Sequence, residues 1–445
     1  ASTTYVQFMK GSLLIIFSIV LVVLVLGKGL KTHQYETLEV RQENSTLVIA
    51  DETKILGDSW KAEGKTFYEV QIDGKSSIWS YNADKNILEE ALFVTYFPDG
   101  TILYNGAPKE DERFKQVGEL IDIEGKINVE TGPLGPFEFI GKIKNSTVVR
   151  WSKAVVMDGE KKLSIYYQNP TPGKEILVTG QKFPVQTSRD KANFISLMLA
   201  LFFGTAALPH ILIRYYTVSS PAAARKSTIV AILSIGFFYI LTLFMGLGSM
   251  TNGVLDLTNS NMAAPLLARD FSVVIFAIIS AVAFATVLGT VSGLIVASSG
   301  AVVHDLVQTF TKKDIGEKKE VSIGKIAAVV VGGLAIILGI VFQGMNVSFL
   351  VGWAFAVAAS ANLPAIIMVL FWKRTTAKGV IASISVGLVS AMTIILLSQT
   401  TFDNVYKLVG VKAPMPIDNP AIISVPLSFI TLIAVSLLTK KKEIS

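Results

Sequence analysis

The sequence predicts an all-α polytopic membrane bundle of eight transmembrane helices, interrupted by an inserted, mainly β exterior domain. Three observations predict it. Of 445 residues 51% are hydrophobic and only 17% charged, against about 25% charged in ordinary soluble domains. Uncharged stretches long enough to cross a bilayer, about 20 residues each, recur along residues 1–30 and 191–445. Between them, residues 31–190 carry 20 basic and 25 acidic side chains, while the rest of the chain is strongly basic. No RNA-binding signature or phosphate loop appears, and a basic, apolar region fits cytoplasmic loops better than nucleic-acid binding. With no cysteine and three scattered histidines (33, 210, 304), thiolate sites and a His-rich metal site are excluded.

The expected spans follow in order. Gly11–Gly27, approached through Tyr5–Met9, is the first, and it lacks the small-residue cleavage site of a signal peptide. Phe194–Ile213, Ser227–Met250 and Phe271–Val303 are the next three. Ile326–Trp372 carries no charge and is too long for one helix; Gln343-Gly-Met-Asn346 splits it in two. Gly379–Phe402 and Asn419–Thr439 complete the eight. With residue 1 in the cytoplasm, 15 of the 20 basic residues outside the insert fall on the inner side, among them Arg214, Lys312, Lys313 and Lys440–Lys442. The positive-inside rule therefore puts both termini in the cytoplasm and residues 31–190 outside the cell membrane.

The insert alternates like strands at Ser45–Ala50, Thr66–Ile72, Ser76–Tyr81, Ala91–Phe97, Phe137–Ile143, Thr147–Met157 and Leu163–Tyr167. Asp73-Gly74, Asp99-Gly100 and Asp158-Gly159 suit hairpin turns, so a sandwich or open barrel is expected. Asn44-Ser-Thr and Asn145-Ser-Thr match the glycosylation pattern. No catalytic pair or ligand cluster stands out in the insert, which reads as a folded cap or docking surface.

Two stretches carry chemistry. In Phe203-Gly-Thr-Ala-Ala-Leu-Pro-His210, Gly204 and Pro209 interrupt a spanning helix, and proline frees a carbonyl one turn earlier. Broken helices at membrane depth line cavities, where helix ends face ions; the plain alternative is a kink used for packing. Thr286 and Thr290 lie four apart on one helix face, beside Gly289 and Gly293. Their oxygens suit a hard cation, or each hydroxyl bonds back to its own i−4 carbonyl. His304-Asp305 reads as a helix cap at the inner surface. No carboxylate lies within the spans, which disfavours a carboxylate proton relay.

Thr3-Thr-Tyr-Val-Gln-Phe-Met-Lys10, Phe203–Thr217, Ala223-Ala-Arg-Lys-Ser227, Asn261-Met-Ala-Ala264, Ile279–Thr286, His304-Asp-Leu306, Ala354–Ser360 and Asn362-Leu-Pro364 together resemble the sodium:solute symporter family, most nearly its cation–acetate symporters. The resemblance covers residues 1–30 and 191–445. It implies a five-plus-five inverted-repeat fold, with residues 1–30 as the fifth core helix, Phe194–Ile213 the broken sixth and Phe271–Val303 the eighth. It implies symport of acetate or a similar small monocarboxylate, no enzyme activity and no cofactor beyond the coupling cation, Na+ or H+. Thr290, Gly289 and Thr286 map onto its cation site, Gly289 standing where the family has a hydroxyl. Gly204, Thr205, Ala206, Pro209 and His210 map onto the substrate pathway. The family's first four core helices are not in this sequence. It therefore reads as a C-terminal part or a processed chain, or those helices come as a separate chain. The alternative is a transporter-like membrane receptor or subunit whose exterior β domain (31–190) binds a solute or partner, the seven-span bundle (191–445) serving as anchor.

Overall fold

The computed structural model describes residues 2–43, 46–51, 54–72, 74–111, 113–178, 185–212, 218–303, 317–343, 345–408 and 411–439. Asn44, Arg214, His304, Asp305, Lys312, Lys313 and Lys440–Lys442 lie outside them, as do the side chains of Pro209 and His210. The chain forms two compact units, Ala1–Val178 with Ile235–Ala283, and Thr179–Ser234 with Phe284–Ser445.

The first unit opens with α1 (Ser2–Lys28), whose Leu21, Val22 and Val25 are buried. Strands β1 (Thr37–Glu43), β2 (Thr46–Ile49), β3 (Ile55–Ala62), β4 (Lys65–Ile72), β5 (Lys75–Asn82), β6 (Ile87–Tyr96), β7 (Ile102–Tyr104) and β8 (Leu120–Asp122) follow. After α2 (Pro136–Lys144) come β9 (Thr147–Asp158), β10 (Lys161–Pro172) and the short α3 (Gly173–Ile176). The ten strands make one antiparallel sheet in the order β3-β4-β5-β6-β10-β9-β8, with β1 and β7 paired to β6 and β2 paired to β1. β6 is the pivot: its first half pairs β5 and its second half β10, the two pairings meeting at Ala91. The sheet thereby folds on itself, and Phe67 and Ile78 from one half share a core with Ala154, Val156, Leu163 and Ile165 from the other. All ten strands belong to this one hydrogen-bonded sheet.

The segment Phe137–Ile143, expected as a strand, is the helix α2. Pro136 occupies its first turn, Glu138 and Lys142 sit at the ends that favour their charges, and Phe139 and Ile143, four apart, are both buried. Phe137, which alternation would place beside Phe139, is 91% exposed. The period is helical.

This unit continues in the second half of α6 (Pro221–Thr251), then α7 (Ala263–Phe271) and the start of α8 (Val273–Ala301). Ser272, with extended backbone, separates α7 from α8, so the span expected over Phe271–Val303 begins at Val273. The sheet domain is bonded to these helix ends through its backbone. Val117 and Leu255 exchange both N–H···O bonds at 3.1 and 2.9 Å, and the Glu119 N–H donates to the Met250 carbonyl at 2.6 Å. At α1 the Thr131 N–H donates to Leu30 O and the Leu134 N–H to Leu26 O, each at 2.9 Å. Phe139, Leu120 and Val148 share one apolar cluster with Leu21 and Val25 of α1, Phe244 and Leu247 of α6 and Leu267 of α7.

The second unit contains α4 (Ser188–Ala207), α5 (Pro209–Leu212), the first part of α6, the rest of α8, α9 (Glu317–Val341), α10 (Val347–Phe371), α11 (Ala377–Leu396), α12 (Gln399–Asn404) and α13 (Ala421–Thr439). The chain turns after Phe342, and Asn346 caps α10 by accepting the Ser348 N–H at 2.9 Å. Helices α4, α10 and α13 enclose a core of small residues, Ala200, Ala207, Ala356, Ala359 and Ala421 with Leu363 and Val425. Buried serines join the helices: Ser360 to Ser424 at 2.6 Å and Ser383 to Ser428 at 2.8 Å. Small side chains permit close approach, and hydroxyl pairs supply polar contacts where lipid offers none.

Seven helices are long and apolar enough to cross a membrane among the described residues: Tyr5–Lys28, Pro221–Thr251, Val273–Ala301, Lys318–Val341, Val347–Phe371, Ala377–Leu396 and Ala421–Thr439. The eighth expected span is divided between α4 and α5, and α4 carries Arg189, Asp190 and Lys191 in its first turn. This is a multi-pass membrane protein with a folded β domain.

Candidate functional site: a broken helix and a hydroxyl-bearing helix

α4 begins at a capping box: the Thr187 hydroxyl accepts the Asp190 N–H at 3.1 Å and the Asp190 carboxylate accepts the Thr187 N–H at 3.0 Å. It is fixed in the unit by Ser196, buried, which donates to the Asn419 carbonyl at 2.7 Å, and by Asn193, which donates to Asp418 at 3.0 Å. Twenty residues on, it stops. Leu208 has φ −72° and ψ 115°, the extended conformation that a following proline imposes. Pro209 has no N–H with which to reach the Thr205 carbonyl, and the Ile211 N–H turns back to Leu208 O to start α5. The expected break is therefore real, and it falls between Ala207 and Pro209.

The broken end is held against α10. A Cβ added to Gly204 would lie 2.6 Å from both the Cβ and the carbonyl oxygen of Phe355, so only glycine fits there. Asn362 donates from Nδ2 to the Ala207 carbonyl at 3.1 Å, meeting one of the carbonyls that a helix end leaves over. Thr205 and Ala206 face outward from this packing; the Thr205 hydroxyl donates to the Leu201 carbonyl at 2.6 Å. Of the five positions expected in the pathway, Gly204 is packed against a neighbour, Thr205 and Ala206 are exposed, and nothing further is described of the Pro209 and His210 side chains.

In α8 the Thr290 hydroxyl donates to the Thr286 carbonyl at 3.0 Å, one turn earlier. Thr290 is exposed, while Thr286 and Gly289 are partly buried. The bond places two oxygens side by side on one face, at a separation that a single hard cation with ligands near 2.4 Å can bridge. Both this pair and the Gly204 break belong to the second unit.

Sequence reasoning missed Asn362 as a bonding partner of the break. Its signal was available: an amide in an otherwise apolar helix, two residues before Pro364, needs a polar partner. The serine pairs joining α10, α11 and α13 were missed too, although Ser424, Ser428 and Ser436 recur at multiples of four.

The sequence model of the sodium:solute symporter family matches residues 152–387, more than half of the 445-residue chain. The chain belongs to the sodium:solute symporter family. Two relatives show how far the likeness extends. An uncharacterized symporter, YwcA, of Bacillus subtilis is 42% identical over 269 residues, covering 58% of this chain and 51% of the relative. A monocarboxylic acid transporter of Corynebacterium glutamicum is 44% identical over 265 residues, covering 58% and 48%. The chain thus spans about half the length of the curated relatives it matches.

Proposed function

We propose that the chain forms part of a secondary transporter that couples a cation gradient, Na+ or H+, to movement of acetate or a similar small monocarboxylate. The break between α4 and α5 carries this reading. It combines a glycine that lets two helices touch, a proline-freed carbonyl and an amide-braced helix end. The name of the Corynebacterium relative supports the substrate class, and the family supports Na+. In this reading the carboxylate settles at Gly204–Ala206, with Pro209 and His210 beyond it. The cation binds at Thr290 and Thr286 beside Gly289, and binding favours the outward-open state. Residues 1–30 form the fifth core helix of a five-plus-five bundle, 31–190 an extracytoplasmic domain and 191–445 the remaining helices, with both termini cytoplasmic.

Uptake of radiolabelled acetate into proteoliposomes containing the full reading frame tests it. An imposed Na+ gradient should drive accumulation severalfold above a K+ control, and propionate should compete. An inward proton gradient that alone drives uptake would replace Na+ by H+. Absence of uptake under both gradients overturns the proposal.

A further inference from the structure

The first unit holds a cavity of about 550 Å³ between the segment after β7 and the α6–α7 connection. Lys109, Lys115 and Arg269 line it together with Asp256 and Asp270, over an apolar surface of Phe114, Val254 and Leu266.

Its charges do not cancel. Lys28 holds Asp270 at 2.8 Å, Lys109 holds Asp256 at 3.5 Å and Lys115 holds Glu90 at 3.6 Å. Asp256 also accepts the N–H and the hydroxyl of Thr258 at 2.8 and 2.6 Å. Three lysines and three carboxylates are matched one to one, which leaves Arg269. It lies exposed in the last turn of α7 and makes no ion pair among the described residues. A guanidinium offers a planar fork of donors suited to a carboxylate. Beside it lie an aromatic ring and two aliphatic side chains, so the wall is amphipathic in the same sense as a short organic acid. The volume falls within the usual range of small-molecule sites, roughly 300–1,000 Å³, and exceeds what acetate alone would fill.

We propose that this cavity binds a small organic monocarboxylate, with Arg269 receiving the carboxylate and Phe114, Val254 and Leu266 the carbon chain. The site is separate from the α4–α5 break and rests on the substrate class proposed above. It favours acids longer than acetate, because each added methylene reaches apolar surface.

Equilibrium binding of radiolabelled butyrate to the full chain in nanodiscs tests it, with butyramide as neutral competitor and inorganic phosphate as a second anion. Arg269→Gln should weaken butyrate at this site at least tenfold, and Arg269→Lys should weaken it less. Butyramide should not compete, and acetate should compete less well than butyrate. Arg269 is exposed, so its replacement leaves the fold intact. Gly204→Val, which disrupts the membrane break, should leave the Arg269-dependent binding in place. Unchanged butyrate affinity in Arg269→Gln overturns the proposal, as does equal competition by phosphate. If Gly204→Val removes all binding and Arg269→Gln removes none, this site fails while the transport reading stands. If Arg269-dependent binding persists in a chain that shows no uptake, the transport reading fails and the site stands.

Discussion

Asn362 of α10 donates its side-chain N–H to the Ala207 carbonyl at 3.1 Å, and so ties the end of a broken helix to an unbroken one. The helix that breaks does not supply this bond itself, because the Ile211 N–H, which would close the turn on Ala207, goes to the Leu208 carbonyl instead. The shape of the break is therefore held from outside.

Asn362→Leu should leave the Ala207 carbonyl without its partner. A buried polar group so orphaned costs about 1–3 kcal/mol. The unfolding midpoint in detergent should fall, and uptake by the complete protein should drop tenfold or more. Asn362→Gln should recover part of both.

Gly204→Ala should push α4 away from α10, since the added Cβ meets Phe355 backbone and Cβ atoms 2.6 Å away. Overpacking of this kind costs about 1–3 kcal/mol. Phe355→Ala should not rescue it, because the clashing atoms remain after truncation. Thermal unfolding of the single and double variants reads both points.

Thr290→Val keeps the shape of the side chain but removes its oxygen and its 3.0 Å bond to the Thr286 carbonyl. The Na+ concentration for half-maximal uptake should rise at least tenfold, while Thr290→Ser stays near wild type. Unchanged Na+ dependence in the valine variant would exclude Thr290 from the cation site.

Burial holds the Glu119 carboxyl above the usual carboxylate range, against the opposing pull of His33, Lys28 and Lys31. His33 Nδ1 lies 3.5 Å from Glu119 Oε2. A carboxyl raised on folding binds its proton more tightly in the folded chain. Its contribution is full below the unfolded value, about 4.3, and is lost as pH rises through the folded value. Relative to Glu119→Gln, wild-type Tm should therefore decline between about pH 4 and the folded value. Parallel Tm curves for the two proteins would contradict this.

Phe139 is fully buried, with its ring centroid 6.2 Å from that of Phe244. Phe139→Ala should cost about 3–5 kcal/mol and speed amide exchange at Val117 and Leu255, the two residues that bond the sheet to the α6–α7 connection.

The long apolar helices were legible because length and lack of charge suffice to mark them. The break was legible at Pro209 because proline acts through its own missing N–H. Phe137–Ile143 was misread because a short segment with phenylalanines two apart satisfies both periods, and only burial at Phe139 and Ile143 decides for the helix. Ser272 gave no local sign of interrupting the apolar run after Phe271. The docking of the β domain was invisible for a deeper reason. Leu241, Phe244, Met245 and Leu247 look alike to a reader of sequence whether they face lipid or a protein sheet. Within the site, the Thr286–Thr290 spacing announced its own hydrogen bond, whereas the partner of Ala207 lies 155 residues away and nothing local points to it.

The two-way backbone exchange between Val117 and Leu255 makes the β domain a poor candidate for clean excision. Cutting out residues 35–188 would remove the hydrogen-bond partners of Met250 and Leu255 and lay bare the apolar end of α6. Such a deletion tests a damaged helix as much as a missing domain. A transplant into a relative lacking the insert would need residues 241–271 to travel with it. A binder gripping the sheet would, by the same bonds, be pulling on membrane helices.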